Sequence, residues 1–408
     1  MAAWPTKRMD QLCEITSSKR IFAADYVSEG VPFYRGREVT EKYKGNLDVS
    51  TELFITEEKF VEIERKFGAP KLGDLLLTSV GTLGSVYVVK PGDRFYFKDG
   101  NLTWFRNFKG LDSQFLFYWI GSPQGKAELQ KCTIGSSQSA FTIVLLKGIE
   151  IALPPMPVQQ RIATILSAYD ELIENSQRRI KILEAMARGL YREWFVHFRF
   201  PGHENHPRVA SALGEIPEGW EVKKLGDIAE DMRRNVPKGK LEEPSPYVGL
   251  EHIPRRALGL DAWETATELG SNKLEFRKGE VLFGKIRPYF HKVSVAPFDG
   301  LCSADTIVIR ARRSEHYACV VACVSSDAFV AEASATANGA KMPRANWDVL
   351  KQYLVAIPTG EVADKFSALI VEVIAQQQAL IFQIQNLRRT RDLLLPRLLS
   401  GQINVEAP

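Results

Sequence analysis

Two amphipathic stretches repeat one another at a constant spacing in this 408-residue chain. The first runs from Gln159 to Phe195, and its apolar positions advance in alternating steps of four and three residues, a spacing typical of a coiled-coil helix. The second stretch lies 204 positions later in the same register. Together they predict two long helices whose apolar seam consists of Ile162, Leu166, Tyr169, Ile173, Ile180, Leu183, Leu190 and Trp194 in the first helix, and Phe366, Ile370, Val373, Leu380, Ile384, Leu387, Leu394 and Leu398 in the second.

Polar residues and prolines interrupt this pattern at a few positions. Ser176, Gln377 and Arg391 occupy seam positions, where they either fix the register at a cost in stability or are wetted by local fraying. Prolines before Gln159 predict that the first helix begins no earlier than that residue. Pro396 predicts that the second helix ends or kinks near Leu395.

The repeat extends beyond the helices, because Ala152-Leu153-Pro154 matches Ala356-Ile357-Pro358 at the same offset. The chain is therefore a tandem duplication of a globular segment followed by a helix. The predicted divisions are a first domain at 1–153, a first spacer helix at 154–200, a linker at 201–219, a second domain at 220–356, and a second spacer helix with the C-terminal tail at 357–408.

Short alternating runs such as 31–39 and 102–106, separated by glycine and proline turns, predict strands in the globular segments. Helical periodicity is confined to a few stretches there. The predicted fold class is α+β: two similar domains of mixed, mostly antiparallel β-sheet with small helices, separated by two long helices packed as an antiparallel coiled coil.

Composition excludes several classes of protein. The balance of 53 basic against 49 acidic residues leaves a net charge of only +4, so electrostatic arguments depend on local clusters. The odd count of five cysteines indicates reduced thiols. The sequence lacks an N-terminal signal-peptide pattern and any run close to the ~20 apolar residues that span a bilayer. We therefore expect a cytoplasmic protein that does not bind membranes.

Candidate ligand-contacting residues of the first domain lie beside glycine turns, where loops on a rigid sheet commonly carry binding residues. Each has a simpler interpretation, since the polar side chains are also ordinary turn residues and the two arginines are also candidates for surface ion pairs. These candidates are Arg35, Arg37, Thr78, Ser79, Thr82, Ser136, Ser137 and Gln138.

The second domain carries a basic, aromatic loop around a Gly/Pro turn, and two further cations follow a second glycine loop. Cations interleaved with aromatic residues suit phosphate and base-edge contacts, although a solvated basic loop has the same composition. The candidates for such phosphate and base-edge contacts are Lys285, Arg287, Tyr289, Lys292, Lys341 and Arg344.

Catalytic and cofactor motifs are missing from the sequence. No GxGxxG follows a strand, and neither a phosphate-binding GxxxxGK[ST] loop nor an HExxH zinc motif occurs. His316, Cys319 and Cys323 lie in an apolar run, which indicates buried structural residues and no metal site. We therefore predict a non-catalytic binding protein with no cofactor and no metal.

The duplication predicts a geometry for binding. If the second helix returns antiparallel along the first, the two domains lie at opposite ends of a rod, about 48 Å apart at 1.5 Å per residue. At 3.4 Å per base pair, two reading domains would lie roughly 14 base pairs apart on DNA. Because their polar residues differ, the two half-targets should differ as well.

These features together resemble the DNA-specificity subunit of type I restriction-modification systems. The motifs that carry the resemblance are PPMPVQQRIA from Pro154, LYREWF from Leu190, GEIPEGW from Gly214, YVGLEH from Tyr247, GKIRPY from Gly284 and RRTRDLLLPRLLSG from Arg388. The resemblance implies two target recognition domains that read an asymmetric bipartite double-stranded DNA sequence. It also implies assembly with two adenine-methyltransferase subunits and with restriction subunits, which would supply the catalysis. The first domain departs from the Gly-Lys-x-Arg-Pro pattern, since it has Thr78-Ser79-Val80-Gly81-Thr82.

Two other functions remain open from the sequence. One is a coiled-coil adaptor whose globular domains bind protein. The other is a DNA-modifying enzyme, a nuclease or methyltransferase, with a diverged catalytic centre.

Overall fold

The chain folds into two compact units in its computed structural model. The first unit comprises Met1–Glu174 with Leu387–Pro408, and the second comprises Asn175–Asn386. Each unit therefore contains one globular domain and a part of each long helix. The structure describes residues 4–46, 49–135, 139–358 and 360–405.

Short strands and helices build the first unit. Its strands are β1 (Thr6–Arg8), β2 (Glu14–Thr16), β3 (Tyr26–Val27), β4 (Val31–Tyr34), β5 (Phe54–Ile55), β6 (Leu75–Thr78), β7 (Val86–Val88), β8 (Tyr96–Phe97), β9 (Leu102–Arg106), β10 (Thr133–Ile134), β11 (Ala140–Phe141) and β12 (Glu150–Ala152). Its helices are α1 (Met9–Leu12), α2 (Gly36–Tyr43), α3 (Glu57–Phe67), α4 (Ser113–Gly121), α5 (Pro123–Lys131), α6 (Ile143–Lys147) and the first part of α7 (Met156–Tyr191).

An antiparallel sheet of order β2-β9-β6-β7 lies at the centre of the first unit. The apolar run of β6 is buried on both faces, because Leu75 and Leu77 pack into one hydrophobic cluster and Leu76 into another. A second group of strands has the order β3-β5-β4-β8, in which β4 and β8 run parallel. The pair of β1 with β12 connects the two ends of the domain.

The second unit repeats this plan. Its strands are β13 (Arg208–Ser211), β14 (Gly214–Pro217), β15 (Glu221–Lys224), β16 (Ala229–Asp231), β17 (Arg234–Val236), β18 (Ser245–Val248), β19 (Glu264–Ala266), β20 (Lys273–Phe276), β21 (Val281–Gly284), β22 (Val293–Val295), β23 (Gly300–Ser303), β24 (Thr306–Ala311) and β25 (Leu354–Ile357). Its helices are the second part of α7, α8 (Leu225–Ile228), α9 (Tyr317–Val324), α10 (Asp327–Ala335), α11 (Trp347–Leu350) and most of α12 (Gly360–Leu399).

The central sheets of the two units correspond strand by strand. The order β16-β24-β21-β22 matches the central sheet of the first unit, and β15 pairs with β25 as β1 pairs with β12. In the other sheet β18 runs parallel to β23, as β4 does to β8. The predicted duplication and α+β class are therefore confirmed in the topology.

Both long helices contribute to the core of the first unit. Ile162 and Leu166 near the start of α7 pack in one cluster with Leu395 and Leu398 near the end of α12. Because the beginning of one helix meets the end of the other, the two segments run antiparallel. Next to them Asp170 accepts a hydrogen bond from the Tyr118 hydroxyl at 2.6 Å and forms an ion pair with Arg391.

The second unit shows the complementary pairing. Phe366 at the start of α12 is fully buried against Trp194 and Phe195, with ring centroids 5.7 and 4.5 Å apart. These aromatic residues belong to a short π-helical turn, Arg192–Val196, that follows α7. The end of the first helix thus packs on the beginning of the second, again antiparallel.

Polar seam residues are not wetted by fraying. Ser176 and Gln377 are 5% and 1% exposed, and the described structure offers the Gln377 Nε2 atom no hydrogen-bond partner. Of the three, only Arg391 carries a charge, and its guanidinium is paired with Asp170. Every predicted apolar seam residue is buried or half-buried.

The helix boundaries differ from the predicted ones at both ends. The first helix begins at Met156, and Pro157 lies in its first turn, where a missing N–H costs nothing. The second helix continues through Pro396 to Leu399. Only one turn follows this proline, so little hydrogen bonding is lost there.

The second long helix is unusually apolar. Its length and a mean hydropathy of 1.3 over an 18-residue window would suit a membrane span. The two helical segments Ser314–Val324 and Asp327–Ala335, which meet at a bend, would also suit one when taken together. A core helix has the same composition, and Phe366, Ile370 and Leu380 are buried. Packing within the second unit accounts for this part of its apolar character.

Candidate nucleic-acid interface

Two loops of the second unit meet at one edge of the β21-β22 hairpin. The loop 285–292 connects these strands, and the loop 336–346 connects α10 to α11. The Arg287 N–H donates to the Pro343 carbonyl at 2.7 Å, and the Ala345 N–H donates to the Lys285 carbonyl at 2.9 Å. These backbone bonds form one surface, which we call the basic loop pair; its outer residues are Lys285, Arg287, Tyr289, Lys341 and Arg344.

Most side chains of the basic loop pair are accessible. Tyr289 is 56% exposed, and its ring meets that of Phe290 edge-on with centroids 4.9 Å apart. Lys341 is exposed. Arg344 is also exposed and lies 3.4 Å from an oxygen of Asp305, the carboxylate that partly balances the cations here. The surface therefore offers several hydrogen-bond donors and an exposed aromatic ring.

Arg287 is the most constrained of these cations. Its backbone has φ 50° and ψ 63°, in the left-handed region that L-residues other than glycine rarely occupy. Its Nε atom is buried, and no hydrogen-bond partner for that atom exists in the part of the chain that the structure describes. The guanidinium lies 6.0 Å from the centre of the Phe290 ring.

Lys292 differs from the other candidates because it points inward. Its ammonium group donates to the Leu250 carbonyl. Burial, with a smaller contribution from the nearby Arg255, lowers the pKa of Lys292. This lysine therefore braces the loop in the described conformation, and it is less available to a ligand than Lys285 or Lys341.

A cation that the sequence did not single out lies beside the same loop. The Arg255 guanidinium stacks on the Phe290 ring, 4.1 Å from its centroid. The segment around Arg255 pairs with the loop through a bridge to Lys292. No motif marks Arg255, since it comes from an irregular stretch far from the loop in sequence.

In the first unit, the matching loop 79–85 connects β6 to β7. Thr78 and Ser79 are buried: the Thr78 hydroxyl accepts a hydrogen bond from the Ser85 N–H at 2.8 Å, and the Ser79 hydroxyl lies 2.6 Å from that of Thr103. Both side chains stabilise the loop from within, so in this conformation they are not free to contact DNA. Thr82 is exposed at the loop tip.

The second loop of the first unit approaches in the same way. Val80 forms a bridge with Ala140, and the Phe141 N–H donates to the Ser79 carbonyl at 3.0 Å. This arrangement corresponds to the bridge between Ile286 and Arg344 in the second unit. The candidates Ser136, Ser137 and Gln138 belong to this loop but lie outside the described residues.

Arg35 and Arg37 were predicted at a strand end, but they lie at the start of helix α2. The strand stops at Tyr34, because the Glu38 carboxylate accepts the Arg35 N–H at 2.8 Å and so caps the helix. The same carboxylate pairs with the guanidinium groups of Arg35 at 3.1 Å and Arg37 at 3.0 Å. Glu38 therefore neutralises part of the positive charge of both candidates and fixes their direction.

Glu38 should also make the stability of the first unit depend on pH. Burial alone would raise the pKa of Glu38, but hydrogen bonds from the Arg35 side chain and backbone outweigh it and hold that pKa below its ordinary value of 4.5. A carboxyl with a lowered folded-state pKa contributes stability above its unfolded-state pKa, and that contribution is lost as the pH falls through the folded-state pKa. We therefore expect Glu38→Gln to destabilise the first unit at pH 7 by on the order of 2 kcal/mol, with the difference from the unaltered chain shrinking below about pH 4.5.

Hydrogen exchange of the α2 amides, compared between the two chains from pH 7 to pH 3, measures this difference. Glu41→Gln is the control, because Glu41 lies on the same helix in a surface ion pair with Lys44 and should change stability little. Equal effects of the two substitutions at pH 7 would contradict the role given to Glu38.

The thiols show no sign of reactivity. Cys319 and Cys323 are buried in α9, and burial raises the pKa of each thiol to about 12. Among the described residues, no three His, Cys, Asp or Glu side chains group in a way that could hold a metal ion.

The fold and these loops define a class of protein: a tandem repeat of α+β domains, each with paired polar loops and each joined to two antiparallel helix segments. A model of the type I restriction modification DNA specificity domain matches residues 1–185. The chain is 26% identical over 427 residues to the type I restriction enzyme MjaIX specificity subunit of Methanocaldococcus jannaschii. The alignment covers 99% of this chain and 94% of that relative. Residues 1–185 therefore match a specificity domain, and the chain is similar over nearly its whole length to a type I restriction enzyme specificity subunit.

Another curated relative is similar in sequence, and a solved structure is similar in fold. The type I restriction enzyme EcoDI specificity subunit of Escherichia coli is 26% identical over 273 residues, which cover 61% of this chain and 60% of the relative. The crystal structure of a type I restriction-modification system S subunit from M. genitalium shares the fold, with a TM-score of 0.60 and 16% identity over 97% of this chain and 96% of that one.

Proposed function

We propose that this chain is the sequence-reading subunit of a type I restriction-modification complex. Each domain binds one half of an asymmetric, bipartite double-stranded DNA target, and the paired helices set the gap between the halves. The observation that carries this proposal is the basic loop pair of the second unit. Its cations and exposed tyrosine lie on a duplicated frame whose first copy carries different side chains at the matching loops.

The chemistry of these loops suits the major groove. Lysine and arginine side chains contact phosphates and guanine edges, and loops held by a rigid sheet keep such groups in fixed positions. The first unit presents Thr82 on its matching loop and the Glu38-bound arginines on α2, whereas the second presents lysines and an arginine on the basic loop pair. Different donors in the two units support different half-targets.

The catalytic steps belong to partner subunits in this proposal. Two adenine-methyltransferase subunits and the restriction subunits assemble around the chain, which needs no cofactor of its own. Several exposed apolar side chains lie along the long helices, some of them one helical turn apart as Ile182 and Met186 are, and apolar residues that share an exposed helix face suit contact with another protein. They are Ile182, Met186, Leu369, Val371, Phe382 and Leu393.

The test is target selection by the assembled complex. The chain is combined with its methyltransferase partners, and a random double-stranded DNA pool is enriched for bound molecules at several salt concentrations. We expect a two-part consensus with a constant gap and a steep loss of affinity with salt, because released counterions dominate phosphate binding. Enrichment without any two-part consensus would refute the proposal and favour a protein-binding adaptor.

A further inference from the structure

Both loops that close the central hairpins contain two left-handed residues at matching places. In the first unit these are Gly81 and Gly84, with φ of 80° and 83°. In the second unit the corresponding residues, counted from the two ends of the loop, are Arg287 and His291, with φ of 50° and 52°. The second unit therefore holds two bulky residues in a backbone conformation for which the first unit uses glycine.

Such a conformation disfavours any residue with a Cβ, so a residue that persists there commonly has a function for its side chain. The side chain of His291 has a structural function inside the protein. Its ring Nε2 lies 2.9 Å from the Ser325 carbonyl, and this contact anchors the loop to the end of α9. The strain at His291 is thus explained by internal bonding.

Arg287 has no comparable internal explanation. No carboxylate forms an ion pair with it within the described ranges, and its closest side-chain bond is a long one of 3.5 Å from Nη2 to the Lys341 carbonyl. Its Nε atom is buried without a partner, so only the terminal amino groups remain for an external acceptor. Its backbone is fixed by the bond to Pro343, and the guanidinium lies near the Phe290 ring.

We propose that Arg287 reads a guanine in the half-target bound by the second unit; this inference rests on the proposed function. A guanidinium that keeps its terminal amino groups for an external acceptor matches the O6 and N7 acceptors of guanine, and an arginine in a fixed position discriminates by geometry. Lys285 and Lys341 are point charges on flexible stems, which suit phosphates. The loop therefore separates one base-reading group from its phosphate-binding neighbours.

The experiment repeats target selection with the assembled complex carrying Arg287→Gly or Arg287→Lys. Glycine accepts the left-handed backbone, so Arg287→Gly should fold, which thermal unfolding checks. We expect one guanine position, confined to one half of the consensus, to lose its preference by about 5- to 150-fold, while the other half and the gap stay unchanged. Lys341→Ala is the matched control and should lower affinity for all sequences alike, with a smaller salt dependence.

Three results would overturn the inference. An unchanged consensus with Arg287→Gly would show that Arg287 reads no base. A uniform loss of affinity with a smaller salt dependence, as expected for Lys341→Ala, would make Arg287 a phosphate contact. Absence of a two-part consensus for the unaltered chain would remove the proposed function itself and this inference with it.

Discussion

Inserting four residues after Glu174 in α7 and four after Asn386 in α12 is expected to lengthen the gap between the two half-targets by about two base pairs. Each helix is continuous through its insertion point. Four helical residues add about 6 Å at 1.5 Å per residue, and DNA advances 3.4 Å per base pair. The two half-sequences themselves should not change, because no loop is altered.

The insertion points are chosen to keep the antiparallel pairing intact. The ion pair of Asp170 with Arg391 sets the register of the two helices in the first unit, and by that register Glu174 lies opposite Leu387. Both insertions therefore fall at the same level of the helix pair. Four added residues introduce one extra four-residue step into the seam, a stutter, which limits the disturbance to a local change in winding.

A chain with the insertion in α7 alone is the control. It shifts one seam against the other, so it should lose binding and should not acquire a longer gap. Target selection with the assembled complex measures the gap directly. The doubly extended chain should bind the original target at least a hundredfold less tightly, because one of its domains then faces the wrong base pairs and several of them are mismatched. An unchanged gap in the doubly extended chain would refute the proposal that the helices set the spacing between the half-targets.

The duplication and the helices were predictable because their signals are linear. A repeat at a fixed offset and a seam of alternating steps can be read without knowing any long-range contact. The strand at 102–106 was predicted correctly for the same reason, as its alternating run coincides with β9. Where a strand gives way to a helix, the linear signal failed: the run 31–39 contains both β4 and the first half of α2.

The binding loops were predictable only in outline. Whether a hydroxyl faces solvent depends on a partner that the local sequence does not reveal, as with Thr78 and the Ser85 N–H. Arg255 was missed because its neighbour Phe290 lies far along the chain. The left-handed Arg287 carried one readable signal: matching the Gly-Lys-x-Arg-Pro pattern at 284–288 to 78–82 aligns Arg287 with Gly81. Glycine in one copy of a loop marks a position where a side chain in the other copy has a cost.

Replacing Phe366 with alanine is expected to destabilise the second unit by about 3–5 kcal/mol. The ring is fully buried and contacts the aromatic residues Trp194 and Phe195, so the substitution leaves a cavity between the two helices and the domain. Helices of this kind owe most of their stability to tertiary packing. The loss should therefore extend from α12 to the sheet that shares this hydrophobic cluster, including Val281 and Ile309.

Hydrogen exchange of β21 and β24 amides measures the loss, because protection there reports the free energy of opening the second unit. We expect protection to fall roughly a hundredfold or more. Leu369→Ala is the control, since Leu369 lies on the same helix but is 48% exposed and creates no cavity. If the two substitutions reduced protection equally, α12 would be only an appendage of the second unit. A helix packed so loosely would not hold the DNA-binding loops at a fixed position, so a longer helix would not imply a longer gap, and the gap prediction would lose its physical basis.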